Sequence, residues 1–220
     1  MFGSFKIIRA AALGILALSL GACGATDIAS RNVPMDMTLN GAAGDPPAAV
    51  VAEDLAMSDL LFFAGSDLRV SERNGYYPFA DIVWRGDAVG DRRLQIGAMF
   101  QEAASRVATQ DTAGRPVSAV VELVRFHGVT ERTRYSVGGN YNIVFMLTLR
   151  DAETGAVVAP ARKIVGNLSA PGGTAAVHAE FAGQTEKVRV TDFLTLLLSD
   201  ELVAAPTLDP NAAATDRATS

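Results

Sequence analysis

The stretch that decides the fold is Tyr141-Asn-Ile-Val-Phe-Met-Leu-Thr-Leu-Arg150, the clearest run with a period of two residues in the chain. This period places alternate side chains on opposite faces of a β-strand. The five residues Asp151–Gly155 contain a glycine and predict a hairpin connection, and Val157–Leu168 supplies the returning strand. Pro160 has no backbone N–H to donate, which favours either an edge position for that second strand or a late start to its pairing.

Three elements are predicted before this hairpin. Val117–Val129 is rich in Val, Leu and Phe, which favours a strand. Ahead of it, a helix is predicted to begin after an N-cap at Asp91 and to reach about Thr109. Its apolar stripe recurs at helical spacing and comprises Ile96, Met99, Phe100, Ala103 and Val107. Ala80–Arg85 is expected to form a short strand that leads into the helix.

The remaining segments have weaker patterns. Val188–Val190 is expected to form a brief strand, with Thr191 as the N-cap of a final helix that carries Phe193, Leu194, Leu197, Leu198 and Leu202. Val50–Phe63 fits either a strand or a helix. Together the elements predict an α+β fold in which two helices cover a mixed sheet of about four or five strands.

The first residues have the features of an export signal. Lys6 and Arg9 precede an apolar run over residues 10–20, about half of the roughly 20 residues that a membrane-spanning helix needs. The run ends at Leu20-Gly-Ala-Cys23, which resembles the lipobox of bacterial lipoproteins. The resemblance implies that Cys23 becomes the first mature residue and is acylated on its sulfur and its freed amine. Several acyl chains together attach a protein stably to a bilayer.

The sequence predicts four parts: a signal peptide over residues 1–22, a flexible tether over 23–49, an α+β domain over 50–202 and a disordered tail over 203–220. A single cysteine excludes an internal disulfide and a multi-cysteine metal site. The formal net charge of −5 argues against broad electrostatic binding to nucleic acid. We expect no cofactor and no bound metal.

The densest cluster of polar residues and glycines lies at the turn from strand to helix, in Trp84-Arg-Gly-Asp87 and Gly90-Asp-Arg-Arg93. Backbone N–H groups at a helix start, together with arginines, favour a small anionic ligand. The alternative is that Asp91 caps the helix while Arg85 or Arg92 pairs with Asp81 or Asp87.

Four aromatic residues fall within nine positions, Tyr76, Tyr77, Phe79 and Trp84, and they form either an exposed binding patch or one end of the core. The candidate ligand- or partner-binding residues are therefore Tyr76, Tyr77, Trp84, Arg85, Asp87 and Arg92.

The sequence shows no catalytic constellation. His178 and Glu180 have a spacing seen in metal sites, but zinc needs at least three protein ligands and His127 is the only other histidine. Gly166-Asn-Leu-Ser-Ala170 lacks the second glycine of a nucleophile elbow. We therefore predict that the protein is not an enzyme. The alternative is an envelope hydrolase that uses His127 or His178 with a serine.

Four segments together resemble a family of uncharacterised bacterial cell-envelope lipoproteins: Leu68–Pro78, Ala80–Asp87, Gly90–Arg92 and Lys187–Asp192. The similarity covers about residues 50–202, and Trp-Arg-Gly-Asp with Gly-Asp-Arg is its most specific part. More distantly, the chain resembles auxiliary lipoproteins of envelope transport systems.

The anchor, the tether and the lack of catalytic residues predict a periplasm-facing, non-catalytic lipoprotein. It would dock to an envelope protein or bind a lipid-like ligand. Gly24 follows Cys23 where an Asp would favour retention at the inner membrane, which favours the outer membrane. A purely structural lipoprotein is a further alternative.

Overall fold

The structure is a computed structural model that describes residues 50–51, 53–110, 113–205 and 207–208. Cys23 and the predicted signal peptide lie outside the described residues, as do the predicted tether and residues 209–220 of the predicted tail. In chain order the elements are β1 (Val50–Val51), β2 (Leu55–Ala64), β3 (Ile82–Val83), α1 (Arg92–Gln110), β4 (Arg115–His127), α2 (Glu131–Arg134), β5 (Gly139–Asp151), β6 (Val157–Ala170), α3 (Thr174–Phe181), α4 (Glu186–Val203) and β7 (Thr207–Leu208).

A five-stranded mixed sheet forms the centre of the fold, in the order β2-β4-β5-β6. β3 pairs with the last residues of β4, further along the edge that β2 occupies. β2 and β3 run parallel to β4, whereas β5 and β6 are antiparallel to their neighbours. The predicted α+β class with a mixed sheet is confirmed, and the ambiguous segment Val50–Phe63 contributes an edge strand of that sheet.

The predicted hairpin is formed by β5 and β6, with Tyr141 opposite Leu168 and Phe145 opposite Ile164. Its connection is held by the Asp151 carboxylate, which accepts the backbone N–H of Thr154 at 2.8 Å. β6 lies at the sheet edge, as the proline in its sequence predicted. β7, within the predicted tail, pairs antiparallel with β1.

The first predicted helix is confirmed. Asp91 is the N-cap of α1, because its Oδ1 accepts the backbone N–H groups of Arg93 at 2.9 Å and Leu94 at 3.2 Å. All five residues of the predicted apolar stripe are buried. None of the helices in the described part of the chain combines the length and the apolarity that crossing a bilayer requires.

The start of the last helix differs from the prediction. Val188–Val190 is not a strand but the first part of α4, and the N-cap is Thr185 rather than Thr191. The Thr185 hydroxyl accepts the backbone N–H of Val188 at 3.3 Å. Glu186, in the first turn, is buried and accepts a hydrogen bond from the Tyr141 hydroxyl. This tertiary contact places the helix start where the β-branched residues alone favoured a strand.

Two helices cover one face of the sheet, as predicted. α1 packs on β2, where the Phe62 and Phe100 rings lie 5.2 Å apart between centroids. α4 approaches β6 closely at Gly166, where a Cβ would lie 2.9 Å from both Leu197 and Phe193. The short helices α2 and α3 were not predicted. They flank the end of the sheet where β4 finishes and β5 begins.

Candidate functional site

The turn after β3 is fixed by a buried tryptophan. Trp84 is fully buried, meets Phe126 edge-on, and donates its indole N–H to the Asp87 carboxylate at 2.8 Å. Asp87 also accepts a hydrogen bond from the Lys187 ammonium of α4 at 2.8 Å. Burial raises the pKa of Asp87, but the bonds from Lys187 and Trp84 outweigh burial and hold it below its ordinary value. This turn therefore joins the sheet to α4.

Four charged side chains next to this turn form what we call the arginine network: Glu72, Arg85, Arg92 and Glu131. Arg92 is buried and makes two hydrogen bonds to the Glu72 carboxylate, at 2.7 and 2.8 Å. Arg85 also bonds Glu72, and its Nε lies 3.0 Å from both carboxylate oxygens of Glu131. The hydrogen bond from Arg92 is the main reason that the pKa of Glu72 lies below its ordinary value.

The arginines of the network are already occupied by groups of the chain. The remaining terminal nitrogen of Arg92 donates to the Asp87 and Ala88 carbonyls and to the Gln95 side chain. The expected pairing of Arg85 or Arg92 with the Asp81 or Asp87 carboxylate is wrong, because their carboxylate partners are Glu72 and Glu131. No local signal in the sequence reveals these partners. A ligand-binding role for Trp84, Arg85, Asp87 and Arg92 stays a prediction.

Beyond the network, a loop presents two tyrosines to solvent. We define the tyrosine loop as residues 72–79. The backbone N–H of Arg132 donates to the Asn74 side chain at 2.8 Å, and the Thr130 hydroxyl donates to the Gly75 carbonyl at 2.9 Å. The Arg132 guanidinium also lies 5.4 Å from the centre of the Tyr76 ring. The loop is thus held against the start of α2, while Tyr76 and Tyr77 remain 46 % and 88 % exposed.

The tyrosine loop and the adjoining ends of β4 and β5 enclose a cleft of about 220 Å³, which we call the tyrosine cleft. None of its lining residues has a carboxylate, ammonium or guanidinium group, although such residues make up 20 % of the chain. The lining residues are Tyr76, Tyr77, Pro78, His127, Gly128, Val129, Thr130, Thr133, Val137, Gly138, Gly139 and Asn140. Of the six predicted binding residues, the cleft includes the two tyrosines. Phe79, the third exposed aromatic of the predicted patch, is 92 % exposed and does not line it.

The hydrogen bond of His127 determines what it offers to the cleft. Its Nδ1 lies 3.0 Å from the Ala80 carbonyl oxygen, which can only accept. Nδ1 therefore donates a proton to this bond, and in the tautomer that the bond selects Nε2 is an acceptor. His178 is exposed on α3. Within the described residues, neither histidine makes a hydrogen bond to a serine, and no three His, Cys, Asp or Glu side chains are grouped to hold a metal.

The sheet face opposite the helices carries a second exposed surface. Phe63 pairs with Glu122, and Glu122 with Met146, so these three side chains share a face. It is the face that points away from α1, because the neighbouring Phe62 packs on that helix. We call this surface the open face and define it by the apolar residues Leu61, Phe63, Val120, Met146 and Val165. Leu61, Phe63 and Val165 are 48 %, 55 % and 49 % exposed. Sequence reasoning did not place Leu61 and Phe63 on an exposed sheet face, because the segment Val50–Phe63 fitted either a strand or a helix.

These features define the protein as an α+β domain. Helices cover one face of its sheet, and a cleft lined by uncharged side chains lies at one end. The chain belongs to DUF6778, a family of unknown function whose model matches residues 57–217. No curated protein matches the sequence.

Solved structures similar to the chain have low sequence identity. A Xanthomonas campestris protein of family DUF330 shares 13 % identity at a TM-score of 0.41, over 80 % of this chain and 94 % of that one. A minor lipoprotein from Acinetobacter baumannii shares 12 % identity at a TM-score of 0.29, and the match covers 69 % of this chain and 96 % of that one. A protein described as a proposed lipoprotein from Caulobacter crescentus shares 15 % identity at a TM-score of 0.27, and the match covers 53 % of this chain and 84 % of that one. Likeness at this level says nothing about what the present chain binds.

Proposed function

We propose that the protein is a lipid-anchored, periplasm-facing lipoprotein that acts as a non-catalytic docking component of an envelope complex. The observation that carries the docking role is the open face, where Leu61 and Phe63 of the edge strand β2 are about half exposed, as is Val165 on the opposite edge strand β6. Large apolar side chains that remain exposed on one face of a sheet mark interaction sites in soluble domains. A purely structural lipoprotein has no need of such a surface, so the open face favours docking.

The anchor rests on the sequence Leu20-Gly-Ala-Cys23, in which Cys23 is the only cysteine of the chain. Acylation of this residue would hold the domain at the bilayer through several chains, each contributing about 0.8 kcal/mol per buried methylene. Gly24 in the next position favours the outer membrane.

Labelling of cells with a radioactive fatty acid tests the anchor. The wild-type chain should incorporate the label and sediment with the outer-membrane fraction, whereas Cys23→Ser should incorporate none and appear in the soluble periplasmic fraction. An unlabelled wild-type chain, or a Cys23→Ser chain that still sediments with membranes, would show that the anchor is wrong. Sedimentation of labelled wild-type chain with the inner membrane would overturn only the choice of membrane.

Site-specific photo-crosslinking in intact cells tests docking. A photoreactive residue at Phe63 should give one discrete crosslinked envelope protein, and the same residue at Phe181, which is 88 % exposed on α3, should not. Leu61→Asp should abolish the crosslink at Phe63 without changing the thermal unfolding midpoint. Identical crosslinks from both positions would refute a docking role for the open face. A crosslink to lipid alone would instead identify the lipid-like ligand.

A further inference from the structure

We infer that the tyrosine cleft is a binding site for one ring of an uncharged saccharide. This inference does not depend on the lipid anchor or on the open face. It rests on four properties of the cleft: its charge, its size, its aromatic walls and its hydrogen-bonding groups.

The charge of the lining excludes ionic ligands. A carboxylate or phosphate would need a guanidinium, an ammonium or free backbone N–H groups, and no lining residue has such a charged group. Two backbone amides of the lining are also unavailable to a ligand, because the Gly128 and Gly138 N–H groups donate to the Val83 and Thr133 carbonyls. A cationic ligand is disfavoured because Arg132 already lies against the Tyr76 ring and would repel it.

The size of the cleft limits the ligand to one ring. Sites for drug-sized ligands begin at roughly 300 Å³, and this cleft has about 220 Å³. An acyl chain also fits poorly, because an apolar chain would cover Nε2 of His127 and the Asn140 amide without offering either a hydrogen bond.

The walls and the polar groups together match a sugar. Tyr76 and Tyr77 supply aromatic surface for the C–H face of a pyranose ring. His127 Nε2 accepts a hydrogen bond, and the Asn140 amide both donates and accepts. Neither group has a hydrogen-bond partner for these atoms among the described residues, whereas the Thr130 and Thr133 hydroxyls bond each other. Sugar hydroxyls are both donors and acceptors, so they satisfy this set.

The cleft is also held in shape before any ligand arrives. The tyrosine loop is tied to α2 through Asn74 and Gly75, and to α1 through the bonds between Glu72 and Arg92. A site that is fixed in advance loses less conformational entropy on binding, which matters for a small ligand with few contacts.

The test is saturation-transfer NMR on the mature chain in detergent micelles. The probes are glucose, galactose, mannose and N-acetylglucosamine, each also as its homodisaccharide, with decaproline as a peptide probe. At least one sugar should bind saturably, with a Kd on the order of 0.1–1 mM. Tyr77→Ala and Asn140→Ala should each weaken binding at least about five-fold. Phe79→Ala is the matched control and should leave the Kd unchanged.

Near-UV circular dichroism of the buried Trp84 checks that every variant remains folded. Three results would overturn the inference: no saturable binding of any sugar, sugar binding that Tyr77→Ala and Phe79→Ala weaken equally, or saturable binding of decaproline alone. The last result would assign the cleft to a proline-rich segment of a protein. None of these results affects the lipid anchor or the crosslinks at Phe63.

Discussion

Among single residues, the arginines of the Trp-Arg-Gly-Asp and Gly-Asp-Arg segments make their hydrogen bonds to other parts of the chain. Their residue types suggested an anion site, yet the arginine side chains bond Glu72 and Glu131, which lie far away in the sequence. Sequence reasoning could predict that these arginines need partners. It could not choose the partners, because long-range ion pairs depend on how the loops fold over the sheet. Asp91 was predictable as a cap because its hydrogen bonds are local.

Removal of the Glu72 carboxylate should destabilise the fold. Glu72→Ala leaves the buried Arg92 guanidinium without its carboxylate partner, and we expect the free energy of unfolding to fall by about 1–3 kcal/mol. The exposure of Glu72 itself keeps this value moderate. Urea denaturation measures it. Glu102→Ala, which removes an exposed i,i+4 pair with Arg106, is the control and should cost less than about 0.5 kcal/mol. Equal losses in the two variants would contradict a supporting role for the network.

The same carboxylate should make stability depend on pH. Hydrogen bonding and charge from Arg92 hold the pKa of Glu72 below its ordinary value of 4.5 in the folded chain. Its contribution is therefore complete above pH 4.5 and is lost as the pH falls through the lower, folded-state pKa. Urea titrations should show the difference in unfolding free energy between wild type and Glu72→Gln shrinking from about pH 6 to about pH 3. A difference that stays constant would show that Glu72 has the same pKa in the folded and the unfolded chain.

At the scale of elements, predictability followed the strength of the periodic pattern. β5 and α1 have strong patterns and match the structure closely. α4 was misjudged at its start, because Val-Arg-Val favours a strand locally while the burial of Glu186 against Tyr141 favours a helix. α2 and α3 are too short for an apolar period to identify them. The sequence predicted only part of the tyrosine cleft. Tyr76 and Tyr77 were identified from the cluster of aromatic residues, whereas His127 and Asn140 lie at strand ends that only the fold brings together.

The N-cap of α4 can be located directly. Thr185→Ala removes the hydroxyl that accepts the Val188 N–H, and we expect a loss of about 1 kcal/mol in unfolding free energy. The backbone N–H of Arg189 bonds the Thr185 carbonyl at 3.0 Å, so hydrogen exchange should find this amide protected in the wild type. Exchange of Arg189 at the rate of an unstructured amide would place the helix start at Thr191 instead.

At the scale of the whole molecule, the two sheet faces differ. Helices α1 and α4 cover one face and leave the other with exposed Leu61 and Phe63 in the described part of the chain. The sequence predicted the two covering helices but not which strand residues would remain exposed. Gly166 shows how far sequence and structure differ in what they reveal about one residue. In the sequence it is part of an incomplete nucleophile elbow. In the structure it is where β6 allows α4 to approach, since its missing Cβ leaves room for Phe193 and Leu197.

Contact between the layers should therefore depend on the absence of a side chain at Gly166. In Gly166→Val the first added carbon would lie 2.9 Å from Leu197 and from Phe193, so both side chains or α4 itself must move. We expect a loss of about 1–3 kcal/mol in unfolding free energy, the usual cost of overpacking. Gly75→Val is the matched control, because nothing lies within 4 Å of the position of its Cβ, and it should change stability by less than about 0.5 kcal/mol. Thermal and urea unfolding of both variants would measure the difference. If Gly166→Val unfolds like Gly75→Val, then α4 does not lie against β6 as closely as the structure places it, and the distinction between a covered and an open face loses its basis.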